Sequence, residues 1–314
     1  MSPRSRDIPL PEEEQRPAGR SRCRLSAGQV WEDPKAGHRV GALDASRPED
    51  FLRIMGGEKA ALVMADPPYN VRLAGQHRKH FPRSALPDYL RFSERWVRAA
   101  AGVMAENAHF YVWLGADHRE EFQPLADFIL MMRGIDELAS KNWITVRNQR
   151  GYGTQKNWMW VRQELLHYVR GKPPFRPVYT EIPKVLKGYY KVVGGRRQEN
   201  LERSRSPNIR PGNVWIDIQQ VFHLMEENVP GCYAQKPLAA IDRILLTSSA
   251  PGDLVLDPFS HSGTTLISGE RSGRKVYTFD IDPLFAEITI RRLERYRATG
   301  KTGWQREDPW DRRD

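Results

Sequence analysis

Cysteine is scarce in this chain. Only Cys23 and Cys232 occur in 314 residues, too few for a disulfide framework and without the paired spacing of zinc ligands. A small stapled scaffold is excluded, no metal site is expected, and a reducing cytoplasm is the expected location. Long apolar runs are missing too: no stretch of about 18 apolar residues appears and no basic leader runs into an apolar segment, so neither a membrane span nor a secretory signal is expected. The chain also lacks GxGxxG, the glycine turn that cradles the pyrophosphate of a dinucleotide.

Positive charge is plentiful. The formal net charge is +10 and the pI about 9.7, a balance that favours a polyanionic partner. The excess is concentrated between Arg170 and Arg210, where eleven Lys or Arg face three Glu. Phe175, Tyr179, Tyr189 and Tyr190 are interleaved there, the mixture expected where bases and sugars pack beside phosphates.

Between two polar ends, strand-like and helix-like segments alternate. AALVMA (60–65), HFYVWLG (109–115), DLVLD (253–257) and KVYTFD (275–280) read as strands, whereas LPDYLRFSERWVRAAAGVM, PLAAIDRILLTSS and FAEITIRRLERYRA read as amphipathic helices. Such alternation implies an α/β fold with a mostly parallel sheet and helices on both faces. Ligands in such sheets bind at the carboxyl ends of the strands, and two unusual stretches fall there.

The first stretch is ADPPYN, residues 65–70. Prolines cannot donate a backbone hydrogen bond, so the Asp66 carboxylate and the Pro67 carbonyl make an acceptor-rich surface beside the Tyr69 ring, with Pro68 stiffening the loop. That surface suits a planar ligand presenting an NH2 group. The second is DPFSHSGTT (257–265), a strand end and tight turn opening a helix, followed about 20 residues later by Asp280 in FDIDP. An acid at that spacing accepts ribose hydroxyls. Without the pyrophosphate turn, a nucleoside cofactor such as S-adenosylmethionine fits best.

ADPPYN, QKPLAAIDRIL (235–245) and DPFSHSGTT with FDIDP, in that order, resemble the amino-methylating DNA methyltransferases that act on adenine N6 or cytosine N4, in their beta-class order, over roughly residues 38–297. The resemblance implies a Rossmann-like seven-strand sheet that binds S-adenosylmethionine and flips a base out of double-stranded DNA. It assigns Asp66, Pro67, Pro68 and Tyr69 to catalysis, the Asp66 and Pro67 acceptors turning the amine lone pair toward the methyl and Tyr69 stacking on the base. Asp257, Pro258, Phe259, Ser260, His261, Ser262, Gly263 and Thr264 would shape the methionine pocket, with Asp66 at its edge. Asp280 would hold the ribose with Ile281 beside it, and Lys236 would lie near the cofactor carboxylate. Ala42 stands where the family carries an acid, and Asp44 is the expected substitute. Lys184, Lys187, Lys191, Arg196, Arg197, Arg203 and Arg205 would contact DNA from a target-recognition region inserted at about 170–215.

The family turn has glycine where this chain has His261, a position that wants backbone freedom. A degenerate DNA-binding subunit of the same fold therefore stays open beside the enzyme, as does an RNA-modifying relative. Adenine N6 is preferred because Asp leads the catalytic block; cytosine N4 is the alternative. A homodimer and a cognate restriction endonuclease are the further partners implied. Residues 1–28 are expected to form a flexible arm, 29–299 the catalytic domain and 300–314 a flexible tail. Trp143, Trp158 and Trp160 read as core or sheet packing. His77 and His80 could contact phosphate or belong to a surface loop, and Glu164 could fix a neighbouring strand or reach the DNA.

Overall fold

A computed structural model describes residues 23–69, 84–115, 124–152, 155–156, 158–184, 189–200 and 206–311. Expected strands and helices alternate in the described chain: β1 (Val30–Glu32), β2 (Arg39–Ala42), α1 (Pro48–Met55), β3 (Ala60–Ala65), α2 (Leu86–Gly102), β4 (Met104–Gly115) and α3 (Leu125–Met132) form the first half. There follow β5 (Ala139–Tyr152), β6 (Trp160–Arg170), β7 (Tyr189–Val193), β8 (Arg196–Asn200), β9 (Val214–Trp215), α4 (Leu238–Ser248), β10 (Leu254–Asp257), α5 (Thr264–Ser272), β11 (Lys275–Asp280) and α6 (Pro283–Thr299).

The main sheet runs β1-β2-β11-β10-β3-β4-β6-β5-β9. From β2 to β4 the pairs are parallel, and β6 lies antiparallel to both β4 and β5. Among the described residues this sheet has nine strands where seven were expected. The inner seven fit the expectation; the surplus is β1 and β9, edge strands of three and two residues, too short to carry a period in sequence.

Side-chain alternation divides the core. Val63, Phe110 and Val112 face α1, α2 and α3 through Phe51, Trp96 and Phe128. Leu62, Met64, Tyr111 and Trp113 face α4, α5 and α6 through Ile241, Leu266 and Ile290. Each such buried side chain stabilises the fold by about 1.5–3 kcal/mol relative to exposure, so both helical layers are held down along the length of the sheet.

The ends depart from expectation. Leu25 is buried, and the Arg24 guanidinium reaches Glu287 and Glu294 on α6, so the amino-terminal region is tied down from residue 23 onward; residues 1–22 lie outside the described part. The carboxyl end is packed as well: Trp304 is 4% exposed, sits with Val229, Cys232 and Ile288, and donates its backbone N–H to Asn228 O at 2.8 Å. Aromatic anchors, invisible to a charge-based reading of the tail, hold it down. Two of the tryptophans assigned to packing are instead on the surface, Trp143 at 47% and Trp158 at 89% exposure, and the Trp160 side chain lies outside the described part.

Within the basic segment, β7 and β8 form an antiparallel hairpin. Gly194 and Gly195 form its turn with φ of 57° and 75°. Two consecutive positive φ values give the tight turn whose twist matches paired strands, which only residues such as glycine adopt cheaply.

Trp304→Ala is expected to lower the unfolding free energy by about 3–5 kcal/mol through the cavity it opens. Urea titration checks this, and a loss below about 1 kcal/mol would mean that the tail adds nothing to the core.

Candidate active site

β3 and β10 lie side by side, Val63 opposite Leu256, and both end at the same edge of the sheet. ADPPYN leaves one strand and the 257–265 turn leaves the other, so the two sequence stretches share one cleft. Its cavity is lined by Asp66, Lys236, Asp257, Phe259, Ser260, His261, Ser262 and Thr264, all expected there, together with Met64, Trp113, Ile241 and Thr265.

Asp66 is held from two sides. Tyr69 Oη donates to its Oδ1 at 2.7 Å, and Lys236 Nζ sits 2.8 Å from its Oδ2. Burial and the nearby Asp66 charge keep the Tyr69 phenol well above its ordinary pKa, so it remains a donor. The loop is fixed further by Tyr89 Oη, which donates to Pro68 O at 2.8 Å. Gly115, ending β4, makes room for the Tyr69 ring, because a Cβ there would lie 3.0 Å from Tyr69 Cδ2. Pro67 is buried and Pro68 half-buried. Asn70, His77 and His80 lie outside the described residues.

Lys236 is 7% exposed and directly precedes Pro237, the residue that caps α4. Its ammonium also stands 5.1 Å from the Tyr69 ring centroid and 5.3 Å from that of Trp113. The neighbouring Gln235 pins this segment by accepting from Val229 N and donating to Glu227 O. Lys236 therefore faces the acid of the first stretch, a pairing that sequence distance conceals.

The cofactor-type turn is built from the other side. Asp257 Oδ1 accepts from Phe259 N at 3.0 Å. Asp280 accepts from His261 N at 3.1 Å and from Asp282 N at 3.0 Å. Gly263 has φ 74° and His261 φ 43°, so the residue replacing glycine does occupy the left-handed region, at some cost in strain. Its ring packs 4.9 Å from that of Phe285, and burial pulls its pKa down to about 4, leaving a neutral imidazole. Pro258 is buried beneath the turn. Arg292 on α6 was not singled out from the sequence, yet it donates to Ser262 O at 2.9 Å and to Thr264 Oγ1 at 3.0 Å.

Asp44 does not join this group. Its carboxylate accepts from Ser46 N at 2.8 Å and lies 3.7 Å from Arg47 Nε, closing its own turn, as a short acid at a loop start tends to do. Ala42 pairs in register with Asp280. Ile281, next to Asp280, is 66% exposed and lies outside the cavity lining. Of the basic residues, Lys184 and Arg196 are described, the latter exposed at the hairpin turn. Lys191 and Arg197 fall on β7 and β8, whereas Lys187, Arg203 and Arg205 lie outside the described residues.

The cleft is rich in unmet polar capacity. Burial pushes Asp257 and Asp280 up to about 7, partly opposed by their backbone donors. Ser260 Oγ and Trp113 Nε1 are buried without a hydrogen-bond partner. Such groups suit a ligand with hydroxyls, an ammonium and a carboxylate. Among the described residues no cluster of metal-ligating side chains occurs, and no helix is long and apolar enough to cross a membrane.

Because the folded carboxyl of Asp280 titrates near 7 against an ordinary 3.8, the folded chain holds a proton that the unfolded chain has released. Stability from this group is full below about pH 4 and is lost as the pH rises through about 7. Asp280→Asn is therefore expected to gain stability relative to wild type between about pH 5 and about pH 8 in thermal melts. A constant difference across that range would mean that Asp280 is already ionised in the fold at the lower pH.

Residues 60–291 match the family model described as DNA methylase, covering N6- and N4-methyltransferases. The type II methyltransferase M.HpaI of Haemophilus parainfluenzae is 27% identical over 233 residues, 74% of this chain and 68% of that protein. The DNA adenine methyltransferase YhdJ of Escherichia coli is 46% identical over 86 residues, 27% of this chain and 28% of that protein. Among solved structures, that of M1.HpyAVI superposes with a TM-score of 0.52 at 17% identity, covering 81% of this chain and 97% of the other.

Proposed function

Because the chain belongs to the DNA methylase family of N6- and N4-methyltransferases, we propose that it transfers a methyl group from S-adenosylmethionine to the exocyclic amine of a base flipped from double-stranded DNA, and that the base is adenine, methylated at N6. The observation that carries this reading is the shared cleft: an acid held between Tyr69 and Lys236 opens onto a cavity whose other wall is the 257–265 turn. Asp at the head of the catalytic block favours adenine, and the segment shared with a protein named as an adenine methyltransferase supports the same choice.

Bound S-adenosylmethionine supplies an electrophilic methyl on a sulfonium. The chain supplies the rest. Half-buried Asp280 and buried Asp257 accept hydrogen bonds from hydroxyl and ammonium groups, and Ser260 and Trp113 offer unmet donors. Asp66 and the Pro67 carbonyl accept the two amine hydrogens, which turns the nitrogen lone pair out of conjugation and toward the methyl. With the amine so held, Asp66 would also be placed to take the spare amine proton after transfer, directly or through water. Tyr69, its hydroxyl tied to Asp66, presents its ring at a fixed angle to the incoming base, repaying part of the few kcal/mol that flipping costs.

Each Asp66 oxygen keeps a second lone pair beside its donor, Tyr69 on Oδ1 and Lys236 on Oδ2, so the acid can accept an amine hydrogen while both neighbours hold it in place. The Lys236 ammonium is also suited to a cofactor carboxylate. The β7–β8 hairpin, with Arg196 at its turn, belongs to the region assigned to target recognition.

Asp66→Ala is expected to abolish methyl transfer while retaining most S-adenosylmethionine affinity in calorimetry; retained transfer would remove the central assignment. Lys236→Met should weaken S-adenosylmethionine about 10- to 100-fold through the lost charge-assisted contact, and an unchanged dissociation constant would place the carboxylate elsewhere. Arg196→Ala/Arg197→Ala should reduce the slope of log affinity against log salt by about two, whereas identical curves would make the hairpin a solvated loop.

A further inference from the structure

β5 and β6 carry an arrangement that the cleft does not use. Glu164 is 0% exposed, and its Oε2 accepts from Trp143 Nε1 at 2.7 Å and Thr145 Oγ1 at 2.8 Å. Its Oε1 lies 3.2 Å from Arg162 Nε. In register, Thr145 stands opposite Glu164 and Arg147 opposite Arg162. Residues two apart on a strand share a face, so Trp143, Thr145 and Arg147 project on the same side as Arg162 and Glu164.

This arrangement is costly if its role is only to pack strands. A fully buried carboxylate carries a desolvation penalty, and what it holds in place is an indole left 47% exposed and an exposed guanidinium. Like charges directly opposite each other, as Arg147 and Arg162 are, destabilise a strand pair. A ring fixed in orientation at the surface beside two arginines is instead matched to nucleic acid, which offers flat faces to stack on and phosphates to neutralise.

The cluster and the catalytic loop share one end of the sheet but lie on its two faces. Glu164 pairs with Leu114 of β4, whose side chain packs toward α1, α2 and α3, whereas the next residue, Gly115, lies against Tyr69, which packs on the α4, α5 and α6 side. A duplex laid across that end of the sheet would meet both. The cluster is separate from the basic segment between Arg170 and Arg210.

We propose that Trp143, Arg147 and Arg162 form a second DNA-contact plate that grips the strand flanking the target base, with Trp143 against a sugar or base, the arginines on phosphates, and Glu164 as the positioning residue. The proposal rests on the DNA methyltransferase reading of the cleft. Its test is binding of a labelled duplex containing the target site, measured against salt, with S-adenosylmethionine affinity as the readout that each variant is folded. Trp143→Ala is expected to weaken DNA binding about 5- to 100-fold, and Trp143→Phe, which keeps a flat ring, to restore most of it. Arg147→Ala/Arg162→Ala should reduce the salt slope by about two. Glu164→Gln, which keeps an acceptor for the indole, should stay near wild type, whereas Glu164→Ala should follow Trp143→Ala. S-adenosylmethionine affinity should be unchanged throughout. Wild-type affinity and slope in both the Trp143→Ala and the double-arginine variants would overturn the plate alone, while a wild-type protein that binds no duplex would overturn it together with the reading on which it rests.

Discussion

One buried cation holds the site together. Arg292 is fully buried on α6 and donates to Ser262 O and Thr264 Oγ1 in the turn, to Glu227 O before α4, and to Thr302 O in the carboxyl-terminal segment. Three pieces of chain that would otherwise be separate loops thereby share one anchor. Burial lowers its pKa to about 10, which still leaves it charged at neutral pH. The left-handed residues His261 and Gly263 flank Ser262, the residue whose carbonyl it holds, so the clamp helps to sustain a conformation that the histidine would otherwise avoid. Removing it would strand several buried carbonyls at once.

The electrostatics divide between inside and outside. The cleft is lined by Asp66 and Asp257 and by the ammonium of Lys236, with Asp280 behind its turn, accepting from His261 N, a set of acceptors suited to a cationic or amine-bearing ligand. Arg196 on the hairpin and Arg147 and Arg162 on β5 and β6 are exposed, so positive charge stands outside the cleft. The proposed cationic reagent and polyanionic substrate would then not compete for the same groups.

Much of this was legible in the sequence, for identifiable reasons. The inner strands and both polar stretches announce themselves because hydrophobic runs end abruptly in Asp-Pro, and the carboxyl-end rule then places them together. What stayed hidden depends on contacts between distant segments. No local pattern signals that Lys236 meets Asp66, that Arg292 reaches Ser262, or that Trp304 packs on Ile288. Asp44 misled because an acid near a strand end serves a ligand and an Asx turn equally well, and only the Ser46 and Arg47 contacts decide between them. Trp143 misled because tryptophan is usually buried, and the exception rests on a glutamate from the neighbouring strand.

The pairing of β3 with β10 also sets the order in which the molecule can be assembled. Val63 meets Leu256 only after the intervening strands and helices have been made, so the centre of the sheet closes through a long-range contact, of the kind that slows folding. During synthesis the β3 side that will receive β10 stays without its strand partner while most of the chain leaves the ribosome, a state prone to wrong edge-to-edge pairing. Because the two walls of the cleft stand on those two strands, a nascent or truncated chain ending before β10 possesses the loop that carries Asp66 but not the 257–265 turn that faces it. The cleft is therefore completed in a single late step, together with the closing of the sheet.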